Sequence, residues 1–185
     1  MKKLLIVTGS VRAGRAADNV LALVSRELEK RENVAVTIAD FAALPLPFFD
    51  DPISPKNESF APANANVQAW TGMVKAADAV LFITPEYNAS VSGVLKNAID
   101  WVGTPWEGKP VALIGYGWSG GDSARNHLVD IMTRLKAEVL EPQAGLAFMQ
   151  HIGLDGSNLG SSAKEISKVL AALTRARTLL SPARS

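Results

Sequence analysis

The stretch TGSVRAGRAADN, beginning at Thr8, places two hydroxyls and two guanidinium groups among glycines just ahead of a helical pattern. Backbone amides at a helix start carry partial positive charge and have no intrahelical partners, so a loop of this kind is an anion cradle. Ser10 can donate a short hydrogen bond there, and Arg12 and Arg15 can neutralise a dianion through their forked donors. The loop has neither the GxGxxG spacing of a dinucleotide fingerprint nor the GKS or GKT ending of a triphosphate loop. A phosphate monoester is therefore the better-matched anion. The competing reading is a glycine turn whose arginines are merely solvated.

Two later stretches suit a flat heteroaromatic ring. In TPEYNASVSGVLKNAIDW, from Thr84, Pro85 sets a turn and Glu86, Tyr87 and Asn88 combine a flat apolar surface with polar groups. In GYGWSGGD, Gly115, Gly117 and Gly120 permit close backbone approach to a planar ligand, with Tyr116 or Trp118 beside it. Either stretch alone could equally be a turn with core aromatics. Their joint position at the ends of successive strands favours a shared site.

Composition limits the chemistry further. The chain has 185 residues, with 48% apolar and 20% charged, in the range of one folded domain spanning 1–185. Nineteen Lys and Arg against eighteen Asp and Glu leave a net charge of +1, which makes no electrostatic case for nucleic acid or an anionic membrane surface. Cysteine is absent, so there is no disulfide framework, thiolate metal site or Cys nucleophile, and His127 and His151 are too few to assemble a metal site easily. His127, Asp100 and Glu86 are acid–base candidates by polarity only, and each is better explained as a cap, an ion pair or an interface group. No catalytic side chain is assigned. The opening MKKLLIVTGS has an apolar run too short for a signal peptide, and nothing approaches the roughly 18 apolar residues of a membrane span. A cytoplasmic location is expected.

These residues must be positioned by a regular scaffold. Continuous apolar runs at 4–7, 79–83 and 111–114 suit parallel strands buried on both faces, and 34–39 reads as another strand. A fifth is expected at 138–140, with a continuation toward 148. Helical patterns lie between them at 19–30, 67–77, 93–101, 122–136 and 163–180. Five strand–helix repeats imply an α/β three-layer sandwich around a parallel sheet, with the order 2-1-3-4-5 of flavodoxin-like proteins. Five prolines between 45 and 62 make 44–66 an irregular surface excursion. In such sheets ligands bind beyond the carboxyl ends of the strands, where all three loops fall.

GSVRAGR, PEYNASVSGVLKNAIDW and GYGWSGG together resemble the NADPH-dependent FMN reductase family, over most of the chain from Met1 into the last helix. The resemblance implies a flavodoxin-like fold and an NAD(P)H oxidoreductase that passes electrons through FMN to a flavin, quinone, azo compound or metal oxyanion. It implies that Ser10 and Arg12 hold the FMN phosphate, with Arg15 where many relatives place a serine. Residues 85–88 would contact the isoalloxazine, and 115–120 would flank its other side. Hydride passes to the flavin itself, so no side-chain acid or base is required. A homodimer or homotetramer is implied, with Leu95, Ile99 and Trp101 of the third helix expected at the contact; the competing reading is that these residues, Leu95 and Ile99 above all, are simply core. The alternatives are an electron carrier, disfavoured by the balanced charge, and a flavin-dependent regulatory protein.

Overall fold

A computed structural model describes residues 1–175; the last residues of the helix expected at 163–180 lie outside the described residues. The apolar runs form β1 (Lys2–Thr8), β3 (Ala79–Pro85) and β4 (Pro110–Gly117), and β2 (Val34–Asp40) lies at the edge. β3 and β4 are buried along their whole length, because each has a strand on both sides and helices on both faces. The sheet is parallel in the order β2-β1-β3-β4-β5, as the strand–helix alternation requires.

The fifth strand departs from expectation. It is broken into β5 (Glu138–Val139) and β6 (Ala144–Ala147), both paired with β4, so the sheet has six strands rather than five. Pro142, which follows a cis peptide bond, has no N–H to give to a ladder. Pairing therefore lapses after Leu140, whose N–H donates to the Val111 carbonyl, and resumes at Ala144.

α1 (Ala17–Leu28) buries Val20, Val24 and Leu28 at fourfold spacing against Leu4, Ile6 and Ile83, beside α5 (Ser162–Arg175). α2 (Ala65–Ala76), α3 (Gly93–Asp100) and α4 (Asp122–Arg134) cover the opposite face through Trp70, Leu95, Ile99 and Leu128. No helix among the described residues is long and apolar enough to cross a membrane.

The excursion expected at 44–66 has no regular structure as far as Asn64, α2 starting two residues earlier than expected, yet it is firmly anchored. The buried Asn97 amide accepts from the Phe49 N–H and donates to the Pro47 carbonyl, at 2.9 and 2.8 Å. The Trp101 indole N–H reaches the same Pro47 carbonyl at 2.9 Å, and Phe49 meets the Trp101 ring edge-on. This cover corrects the expected subunit contact. Leu95, Ile99 and Trp101 are 0%, 1% and 3% exposed within the single chain, so they are core residues and cannot meet a partner.

Replacing Asn97 with Ala removes both anchors: it strands the Phe49 N–H and leaves the Pro47 carbonyl with the Trp101 indole alone. Urea unfolding should show a loss of about 2 kcal/mol, in the range of buried hydrogen-bond partners left unsatisfied; an unchanged midpoint would mean that the excursion is not held here.

Candidate functional site

Register brings the three loops together. Thr8 on β1 pairs with Ile83, and Pro85 on β3 pairs with Tyr116 on β4, so the three central strands end at one level. Beyond them lies a cavity of about 370 Å³ lined by Ser10, Arg12, Arg15, Pro85, Glu86, Tyr87, Tyr116, Gly117 and Trp118 among the residues singled out from sequence. Asn88, Gly115 and Gly120 are not in its lining. Gly14, Ala16, Phe148 and Leu154 line it without having been anticipated.

The β1 loop is tied on several sides. Ser10 is buried, and its hydroxyl lies 2.7 Å from the Tyr87 hydroxyl across the cavity floor. The Arg12 guanidinium stands 5.9 Å from the Tyr87 ring centroid, in cation–π range, and has no carboxylate partner among the described residues. Arg15 is placed differently. Its fork grips Asp40 at the end of β2 at 2.6 and 2.5 Å, and it also donates to the Ser10 carbonyl at 2.5 Å and to Asp18 at 2.9 Å. The hydrogen bond to Asp40 raises the Arg15 pKa, and in return holds the Asp40 carboxyl below the usual carboxylate range. Arg15 thus braces the loop and spends its charge internally, which leaves Arg12 as the uncompensated cation of the lining.

Helix starts explain what the cavity offers. The Asn64 side chain caps α2 by accepting from the N–H groups of Asn66 and Val67. Ser92 caps α3, accepting from the Leu95 N–H, and its hydroxyl also donates to the Gly9 carbonyl, which pins α3 to the β1 loop. The Glu86 carboxylate accepts from the Ser123 N–H at 2.9 Å and so serves the start of α4. α1 alone of these four helices begins, at Ala16, without a side-chain acceptor, and Ala16 lines the cavity. Apart from the Asp18 N–H, which makes a long 3.5 Å bond to the Arg15 carbonyl, its first amides are free and point the positive end of the helix at the space beside Arg12.

The remaining residues shape the walls. Asn88 and Ala89 take positive φ in a two-residue turn closed by paired bonds between Tyr87 and Ser90, which puts Asn88 at an exposed tip. Gly115 and Gly120 serve chain packing: a Cβ on Gly115 would come within 2.7 Å of the Gly120 carbonyl, and one on Gly120 within 3.0 Å of Gly145. Tyr116 is 4% exposed, and burial pushes its phenol pKa up, so it is a neutral hydroxyl at the cavity wall. Trp118 projects at the mouth and meets Phe148 edge-on at 5.7 Å. Phe148 and Leu154 follow the broken fifth strand; the aromatic at 148, just past a strand end, was the available signal for them.

The polar residues considered for acid–base work have structural partners. His127 Nδ1 lies 3.0 Å from the Ser90 hydroxyl, His151 Nδ1 accepts from the Ala147 N–H at 3.1 Å, and Asp100 pairs with Lys96 at 2.7 Å. No cluster of three or more metal-ligating side chains occurs among the described residues.

A parallel sheet wound 2-1-3-4-5, with an uncapped helix start facing a flat-walled cavity at its carboxyl edge, defines a flavodoxin-like α/β protein. Residues 2–151 match the sequence profile of the NADPH-dependent FMN reductase family, and the chain belongs to that family. It is similar to an NAD(P)H-dependent FMN reductase of Saccharomyces cerevisiae, 32% identical over 147 residues, covering 75% of this chain and 77% of that protein. A quinone reductase of Escherichia coli is 36% identical over 151 residues, covering 75% and 74%. Among solved structures, the flavoenzyme NAD(P)H:(acceptor) oxidoreductase of Paracoccus denitrificans superimposes with a TM-score of 0.77 at 25% identity, covering 98% of this chain and all of that one. The protein is accordingly an NAD(P)H-dependent oxidoreductase of a family that uses FMN, with NAD(P)H as electron donor.

The Arg15–Asp40 brace generates a pH prediction. Because the Asp40 pKa is depressed on folding, its stabilisation is present above the ordinary carboxylate value of about 3.9 and is lost as pH falls through the lowered value. Asp40→Asn should therefore cost about 1–3 kcal/mol at neutral pH, by analogy with hydrogen bonds to charged groups. In denaturation series the difference from wild type should hold down to about pH 4 and shrink below it; a deficit that disappears on the way from pH 8 to 6 would contradict the brace.

Proposed function

We propose that the chain binds FMN in this cavity and uses it to pass electrons from NAD(P)H to a small acceptor. The observation that carries the reading is the uncapped start of α1, which opens into the cavity beside the unpaired Arg12 guanidinium. A phosphate monoester supplies what that end lacks: acceptors for free amides and a charge for Arg12. Ser10, freed from its Tyr87 contact, would add a hydroxyl donor.

The other end fits a flat ring. Pro85 and Tyr87 on one side, and Tyr116 and Gly117 on the other, would hold the isoalloxazine, while Glu86 acts indirectly by fixing α4 against this wall. Asn88, Gly115 and Gly120 would serve through the shape of the turns they permit rather than through lining contacts. Bound FMN would supply the redox chemistry, accepting hydride from the nicotinamide and releasing the electrons to the acceptor. The chain's own part is to seat the phosphate, orient the ring and keep neutral hydroxyls, including the Tyr116 phenol, at its wall. A homodimer or homotetramer belongs to this proposal, with its contacts on a surface other than the buried side of α3.

Purified protein should take up FMN to give a flavin absorbance spectrum that bleaches on anaerobic addition of NADPH. Arg12→Ala should weaken FMN binding about tenfold, the order expected for one exposed charge-assisted contact, while changing riboflavin binding little. Equal losses for FMN and riboflavin would place Arg12 away from the phosphate, and failure to bind either would sink the reading.

A further inference from the structure

Three of the four tryptophans, Trp70, Trp101 and Trp106, are 0%, 3% and 0% exposed, whereas Trp118 is 73% exposed while lining the cavity. An indole left in water forfeits the burial that normally places this side chain. Its position is nonetheless defined. The turn carrying it is closed by the Gly120 N–H donating to the Gly117 carbonyl at 3.1 Å, and the Phe148 N–H donates to the same carbonyl at 2.9 Å. Phe148 meets the indole edge-on at 81°, and Tyr116 supports Phe148 in turn with ring centroids 6.3 Å apart. The indole is thus held by its neighbours and left uncovered.

Charge decides what such a surface can receive. The lining near Trp118 includes Tyr116, Gly117 and Phe148 and offers no cation; its one acidic residue, Glu86 beside Gly117, has its carboxylate turned to the Ser123 N–H. The two arginines of the cavity belong to the anion end: Arg15 is consumed by Asp40, and Arg12 stands over Tyr87. A metal oxyanion entering at the indole would find no cation, whereas a neutral, electron-poor ring would find an electron-rich face of matching shape.

We infer that Trp118 is the platform that receives a neutral planar acceptor of the quinone class, and so sets the preference of the enzyme for such acceptors over metal oxyanions; this rests on the flavin reading above. In the reaction it serves, NAD(P)H gives up a hydride and solvent gives one proton, converting the quinone to hydroquinone and leaving NAD(P)+. Trp118 takes no part in proton or electron bookkeeping. It acts by holding the ring.

The test compares wild type, Trp118→Ala and Trp118→Phe as FMN-loaded protein. Calorimetric titration with menadione, without nicotinamide, should show a Kd about 3- to 10-fold weaker for Trp118→Ala, with most of the loss restored in Trp118→Phe, as expected for one aromatic contact. In turnover, the ratio of kcat/KM for menadione to that for chromate should fall by a similar factor in Trp118→Ala. The inference is overturned if menadione affinity is the same in all three proteins, or if the ratio is unchanged because both acceptors decline together. It is equally overturned if Trp118→Ala instead sheds FMN, or shifts the native mass of an oligomer, while holding menadione as tightly as wild type. Wild type that takes up no FMN defeats the flavin reading and this inference with it, a failure distinct from FMN-loaded proteins that all hold menadione equally.

Discussion

Parallel strands can be joined only by crossovers that return the chain to the same edge, and the geometry of this site follows from that constraint. Every strand of the sheet delivers its carboxyl end, and every following helix its amino end, to one side of the molecule. The pairing of Thr8 with Ile83 and of Pro85 with Tyr116 then sets the levels of the central strands to within a residue or two. The helix starts gathered there bring unpaired amides that need acceptors. Asn64, Ser92 and Glu86 satisfy them for α2, α3 and α4, so the remaining demand is concentrated at α1. The cradle is a helix start that the fold has left without an internal acceptor.

Arg15 shows how the same region divides its charge. With both arginines free, the loop would present two flexible cations to any anion. The grip on Asp40 converts one of them into a strut between the β1 loop and the end of β2, and its bond to the Ser10 carbonyl stiffens the loop. Arg12 keeps its charge and rests over the Tyr87 ring. The cavity is therefore polar and cationic at one end and aromatic at the other, where the Glu86 carboxylate is taken up by the start of α4, a gradient suited to a ligand with a phosphate tail and a flat head.

Much of this was legible in the residues, and what was not has identifiable causes. The buried strands announced themselves as unbroken apolar runs, because a central parallel strand has no solvent face to encode. The loops carrying Ser10, Arg12, Tyr87, Tyr116 and Trp118 were legible for the same reason, since they follow those runs directly. The partner of Arg15 was not: Asp40 is 25 residues away along the chain, and only the β1–β2 register brings it alongside. The break in the fifth strand turned on Pro142, whose missing N–H interrupts a ladder that apolar pattern alone would continue. Leu95, Ile99 and Trp101 looked like an apolar face in search of a partner. Their cover, the irregular excursion from 44 to 64, has no periodicity to reveal where it packs.

The same distinction bears on Phe148 and Leu154, which complete the cavity from a segment with no strong pattern. That segment is positioned by α1 rather than by the sheet alone. Gly156 lies so close to the helix start that a Cβ there would come within 2.3 Å of the Ala16 carbonyl, and the Asn19 amide donates to the Asp155 carbonyl at 3.0 Å. Any side chain at 156 would have to push the segment off the very turn of α1 whose amides remain free. The apolar mouth and the cationic cradle are thus two ends of one mechanical unit. Ligand contacts at the cradle bear on residues one step removed from those that hold Leu154, so the aromatic end of the cavity takes its shape from the anion end.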